Sequence, residues 1–210
     1  MPRTTLRGDS SDTFQNPSKS SSPQSALRIV GVDGGTVSSG RSGGTVLVIV
    51  LLEGSRISDL RLGEIDVDGV DAQRILVSLL RALSYDIVML SGISFAGFNL
   101  VDIKLLARRV GKPVIAVIRE RPDNKAVRDA LRKHFVDWRQ RWRAVKNAGR
   151  IHSCRPLADE PRLYFEVRGC SPASARKIIL SSSTISRLPE PVRVAGLLAK
   201  GLRGSGIRTP

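Results

Sequence analysis

A mixed α/β fold, a sheet of antiparallel and parallel strands with helices on both faces, is what this sequence predicts, and three observations carry the prediction. An apolar run at Leu27 to Asp33, a β-branched run at Gly44 to Glu53 and an alternating stretch at Ile57 to Val67 follow one another as strands do. From Asp71 onward the apolar spacing turns helical and then alternates with short buried runs. The chain has 210 residues, of which 41% are hydrophobic, enough for one domain with a sizeable core.

Taken in order, Leu27 to Asp33 hardly alternates and ends in a Gly-rich stretch, which predicts a buried strand and a turn. Gly54 and Ser55 separate the second and third strands, so the three form a meander. Ile75, Leu76, Leu79, Leu80 and Leu83 share one helical face, and Asp86 to Leu90 is a short buried strand. A Gly- and Phe-containing loop leads to a helix over Asp102 to Val110 and a strand over Pro113 to Ile118. Pro122 and Asp123 start a helix whose buried stripe is Ala126, Val127, Ala130, Leu131 and Phe135. A further helix runs over Asp137 to Ala148, a late strand over Arg162 to Arg168, a helix capped by Ser171 with Pro172, and a last helix over Pro191 to Leu202. Three antiparallel strands followed by parallel crossovers give the arrangement of ribonuclease H-like folds. In such a sheet strands one and four are neighbours, so Asp33 and Ser91 stand at adjoining strand ends.

Met1 to Ala26 is rich in Ser, Thr, Pro and Gln, which predicts a disordered tail, and Gly204 to Pro210 reads alike. Residues 27–203 remain for a single folded domain. Cys154 and Cys170 are the two cysteines and have neither CxxC nor metal-ligand spacing, which suits a reducing, cytoplasmic setting. The apolar stretch from Thr45 to Leu52 is too short to span a membrane.

Charge points to the partner. Against 19 Asp and Glu stand 34 Lys and Arg, a net charge of +15, which implies a polyanion, in the first place DNA. The excess is local: residues 102–150 carry 15 basic and 5 acidic side chains, hence 15 − 5 = +10, whereas residues 27–101 carry 6 and 8, hence −2. In the helix over Asp137 to Ala148, Arg139, Arg141 and Arg143 suit phosphate contacts, as does Arg121 before it. Trp138 and Trp142 at helical spacing read as core before they read as a stacking platform.

Metal-dependent phosphodiester cleavage needs carboxylates converging on a hard cation. Asp33, at the end of the first strand, is the foremost candidate; the alternative is a turn-forming Asp before Gly34 and Gly35. Asp66, Asp68 and Asp71 cluster between the third strand and the first helix. Asp68 is the preferred second ligand and Asp71 a third, although Asp71 also suits an N-cap and Asp66 a water-facing position. Phe95 and Phe98 stand in the loop beside this site, either to wedge against an extruded base or to anchor the loop, and Asn99 follows them.

The segments Val67-Asp68-Gly69-Val70-Asp71-Ala72 and Gly92-Ile93-Ser94-Phe95-Ala96-Gly97-Phe98-Asn99-Leu100-Val101-Asp102 resemble the archaeal endonuclease dU family. Further similar stretches are Pro113 to Arg119 with Pro122-Asp123, Ala130 to Phe135, Gly169 to Pro172 and Pro189 to Ala195, so the resemblance spans nearly all of residues 27–203. It implies a ribonuclease H-like relative of endonuclease V that uses Mg²⁺ or Mn²⁺ to cleave DNA at deaminated bases, deoxyuridine in particular. It puts the family's carboxylates at Asp33 and Asp68, and a basic phosphate or transition-state contact at Arg119. It also implies departures, for Gly34, Ser91 and Gly196 stand where the family usually has Asp, Asp and His. The chain is accordingly expected to be either a metal-dependent endonuclease or a member of that family that binds nucleic acid without turnover. A weaker similarity, of Gly31-Val32-Asp33-Gly34-Gly35-Thr36 to the first phosphate loop of actin-like sugar kinases, would make it an ATP-binding protein.

Overall fold

The computed structural model describes residues 26–35 and 43–202. The expected tails, residues 1–26 and 204–210, lie outside the described residues except for Ala26.

Strands β1 (Arg28–Gly34), β2 (Gly44–Glu53) and β3 (Arg56–Asp66) form the antiparallel meander. Helix α1 (Ala72–Leu80) leads to β4 (Ile87–Leu90), which pairs with β1 in parallel. A small hairpin of β5 (Ser94–Phe95) and β6 (Asn99–Leu100) precedes α2 (Ile103–Val110) and β7 (Val114–Ile118), and β7 is parallel to β4. Helices α3 (Asn124–His134) and α4 (Trp138–Ala148) follow, then β8 (His152–Cys154), β9 (Leu163–Arg168), α5 (Pro172–Ser182) and α6 (Glu190–Gly201). The seven-stranded sheet runs β3-β2-β1-β4-β7-β9-β8. This is the predicted mixed sheet.

Three features depart from the sequence expectation. The β5–β6 hairpin and β8 have two or three residues per strand, too few for a period to register. The late strand, β9, pairs antiparallel with β7, because α3, α4 and β8 intervene in place of one crossover helix.

Strand alternation distributes the helices over two faces. Val30, Val32, Val88 and Leu90 pack with Leu76 of α1 and with Ile103 and Leu106 of α2. On the opposite face Ile29, Met89 and Ile115 meet α5 at Ile179 and α6 at Val192, while Val48 and Val50 of β2 meet Ala195 and Ala199. Truncating a fully buried residue such as Leu106 to Ala costs about 2–5 kcal/mol. Helix α6 lies so close to β1 that a Cβ at Gly31 would strike the Pro191 carbonyl, and this contact holds α6 over the end of β1. Side-chain caps set three helix starts: Asp102 accepts from the amides of Lys104 and Leu105, Asp123 from those of Lys125 and Ala126, and Ser171 from that of Ser174, with Pro172 just inside.

Candidate active site

Parallel pairing of β1 with β4 brings Asp33 and Ser91 side by side, as the sequence predicts, and the Ser91 amide extends the ladder onto the Val32 carbonyl at 3.0 Å. The Ser91 hydroxyl donates to Asp33 Oδ1 at 2.5 Å, and the Gly34 amide donates to the same oxygen at 2.8 Å. Asp33 Oδ2 faces α6, where a Cβ at Gly196 would lie 2.5 Å from it. Burial pushes the Asp33 carboxyl above the usual carboxylate range, against the Ser91 and Gly34 hydrogen bonds and the charges of Lys200 and Arg119, which favour its ionised form. Arg119, exposed at the end of β7, and Lys200, on α6, are thus the cations acting on Asp33. Lys200 escaped sequence reasoning; it lies one helical turn after Gly196, a signal that acquires meaning only when α6 is known to cover Asp33.

The other acidic candidates hold the hairpin. Asp68 has a left-handed backbone, φ 56°, and its Oδ1 accepts from the Phe98 amide at 2.8 Å while its own amide donates to Ala96. Asp71 stands at the start of α1 but makes no cap bond; its Oδ1 accepts from Asn99 Nδ2 at 2.6 Å. The cap is supplied instead by Asn99, fully buried, whose Oδ1 accepts from the Ala72 amide at 3.0 Å while Nδ2 also donates to the Asp66 carbonyl at 2.9 Å. Arg141 completes the mount: it is 8% exposed and donates to the carbonyls of Gly69 and Phe98 at 2.9 and 2.7 Å and to Asp137 at 2.9 Å. Its guanidinium also lies 4.3 Å over the Phe135 ring.

These placements change several expectations. Asp33, Asp68 and Asp71 are not brought together as one ligand set; among the described residues no three His, Cys, Asp or Glu side chains are grouped to hold a metal ion. Asn99 and Arg141 are themselves buried, and they direct their donors to four partly buried acceptors around the hairpin, the carbonyls of Asp66, Gly69 and Phe98 and the Asp71 carboxylate. Phe95 is 2% exposed and belongs to the core under the hairpin, so it anchors the loop. Phe98 is half-buried and packs edge-on against Phe135 at 5.4 Å. Arg121, Arg139 and Arg143 are exposed, with Arg139 lying 4.9 Å from the ring centre of a half-buried Trp138. The phosphate-loop expectation fails on its amides: that of Gly34 is bound to Asp33, and that of Gly35 to the Val46 carbonyl at 2.8 Å, leaving neither turned toward a phosphate. Thr36 lies outside the described residues.

One carboxylate and one hydroxyl do not make a resident cage for a six-coordinate cation. The donors at Asp33 fit one corner of such a site. A second acidic group also escaped sequence reasoning: Glu166 of β9 is 3% exposed, and burial pushes its carboxyl up to about 7, opposed by the Arg168 charge. In sequence it looks like the water-facing position of an alternating strand, whereas in the fold α2 and α4 pack against β9 and the residue is buried.

The described residues form no helix long and apolar enough to cross a membrane. Comparison with known proteins gives a consistent picture. A UPF0215 protein of Methanothermobacter thermautotrophicus is 36% identical over 184 residues, 85% of this chain and 89% of the relative. A solved Archaeoglobus fulgidus protein of unknown function superposes with a TM-score of 0.74 at 30% identity, covering 84% of this chain and 98% of its own. Endonuclease V of Ciona intestinalis, solved with a 24mer DNA containing an inosine followed by a ribo-adenosine, shares the fold at a TM-score of 0.57 and 14% identity, over 85% of this chain and 87% of its own. The fold is therefore ribonuclease H-like, of the endonuclease V kind. The family profile described as Endonuclease dU matches residues 25–203, well over half of the sequence, and the chain belongs to that family.

Proposed function

We propose that this protein is an endonuclease that hydrolyses a phosphodiester of DNA at or near a deaminated base, with deoxyuridine as the expected lesion. The observation that carries this reading is the position of Asp33, a carboxylate held by Ser91 and Gly34 at the end of β1 and flanked by the cations Arg119 and Lys200. Family membership supports it, as does the shared fold of an endonuclease V solved on inosine-containing DNA. In this reading Asp33 is the protein ligand of any divalent cation, Mg²⁺ or Mn²⁺, the remaining oxygens coming from water and the substrate phosphate as is usual for such ions. Arg119 contacts a phosphate, and the exposed Arg121, Arg139 and Arg143 track the strand. The test is incubation of a deoxyuridine-containing duplex with Mg²⁺ or Mn²⁺: the expected result is a nick that Asp33→Ala abolishes, and an intact strand overturns the proposal.

A second reading has its own support. Asp68 and Asp71 each give one carboxylate oxygen to the hairpin, and among the described residues no group of three metal-ligating side chains forms, an arrangement that a member of the family binding nucleic acid without turnover fits. It predicts salt-sensitive DNA binding with no metal-dependent product.

A further inference from the structure

A cavity of about 230 Å³ opens beside Ser91, between the loop after β4, the end of β7, the start of α3, α4 and β9. Its walls include Ile93, Phe98, Ile118, Val127 and Val145, and its one charged lining residue is Glu166. The register explains how Glu166 arrives there: it pairs with Ala116 of β7, which pairs with Leu90 of β4, so these three residues share the sheet face opposite to that of Asp33. Among the described residues no hydrogen bond is made to the Glu166 carboxyl, although the side chain is buried and every fully enclosed side-chain polar atom has a partner. A carboxyl in this position looks for its partner in the cavity. Pockets for drug-sized ligands run to about 300–1,000 Å³, so this one suits a single small ring.

We propose that Glu166 is a specificity-determining residue that reads the hydrogen-bonding edge of one unstacked nucleobase seated in this cavity. The inference rests on the nuclease reading for the identity of the ligand as a base within a strand. Ser91 belongs both to the cavity wall and to the Asp33 pair, so the cavity opens at the same end of β4 that holds the Asp33 carboxylate. A neutral carboxyl donates through its O–H and accepts through its carbonyl, which matches the adjacent C=O and N–H of uracil or hypoxanthine; an ionised one only accepts and faces the base carbonyl with like charge. The apolar walls supply the stacking surface, Phe98 foremost.

Of the charged side chains on β7, β8, α2 and α4, which pack around β9, none lines the cavity, and the charge that acts on Glu166 is that of Arg168 on its own strand. His152 stacks on Phe165, across the sheet from Glu166. The pH response of the cavity therefore belongs to Glu166.

The experiment measures, by fluorescence anisotropy in EDTA, binding of a single-stranded oligonucleotide with one deoxyuridine against the same strand with an abasic site at that position. Wild type is expected to prefer the base, and Glu166→Leu to lower that preference about tenfold. Glu166→Gln, which still donates and accepts, is expected to keep the preference and to remove its decline between pH 6 and 8. Should Glu166→Leu not fold, that comparison decides alone: a preference that falls with pH in wild type and stays level in Glu166→Gln supports the proposal. An equal base-to-abasic ratio in wild type and Glu166→Leu, or a pH response unchanged in Glu166→Gln, overturns it. The cleavage assay is separate: nicking with an unaltered ratio sinks this inference alone, and an altered ratio without nicking sinks the nuclease reading alone.

Discussion

Ser91 and Asp33, 58 residues apart in sequence, meet at 2.5 Å through a hydroxyl-to-carboxylate hydrogen bond across the ends of two parallel strands. A carboxylate so held is fixed in rotamer while one of its oxygens remains without a hydrogen-bond donor among the described residues. Four expectations follow from this arrangement and its surroundings.

Asp33→Asn keeps the shape of the side chain and removes the charge. Because burial disfavours the ionised form at this position, the variant is expected to melt at or above the wild-type temperature while nicking of a deoxyuridine duplex disappears. A parallel loss of melting temperature and activity would make Asp33 a structural residue.

Ser91→Asp puts a second carboxylate against the first. Without a divalent cation the two repel, and the variant is expected to lose about 1 kcal/mol or more of stability. Millimolar Mn²⁺ should restore it, since an ion that binds only the folded state stabilises in proportion to the logarithm of its saturation. Thermal melts of variant and wild type, with and without Mn²⁺, check this, and an equal Mn²⁺ response in both counts against a cation site at Asp33.

Two neighbouring arginines of α4 should separate cleanly. Arg141→Met strands the carbonyls of Gly69 and Phe98 and is expected to cost about 2–4 kcal/mol by denaturant titration. Arg143→Ala, on the exposed face, is expected to change stability by less than about 0.5 kcal/mol and to lower the salt dependence of DNA binding by about one ion.

Glu166 makes stability depend on pH. Its folded value, about 7, lies above its ordinary 4.5, so between these the folded state holds more protons than the unfolded state and stability falls as pH rises. The loss approaches about 3 kcal/mol by neutral pH and then levels off. Glu166→Gln should be flat over the same window and the more stable protein at pH 8, as read from urea midpoints between pH 5 and 8.

Most of the scaffold was legible in the sequence because its elements are long and periodic: the meander, the stripe of α1, and the caps at Asp123 and Ser171 all follow from local chemistry. Asp33 and Ser91 were legible as a pair because strand order alone sets them together. The structural contacts of Asp68, Asp71, Asn99 and Arg141 were not legible in the sequence for one shared reason. Their chemistry matches both cation or phosphate binding and the mounting of the hairpin, and only the fold shows which backbone groups lie within their reach. Glu166 was invisible because an alternating strand hides which of its faces is covered.

Helix α6, which roofs Asp33, follows every other described element in the chain, and its contact at Pro191 is with the first strand. A chain halted before residue 190 during synthesis therefore carries the sheet strands that hold Asp33 without the helix that covers its carboxylate.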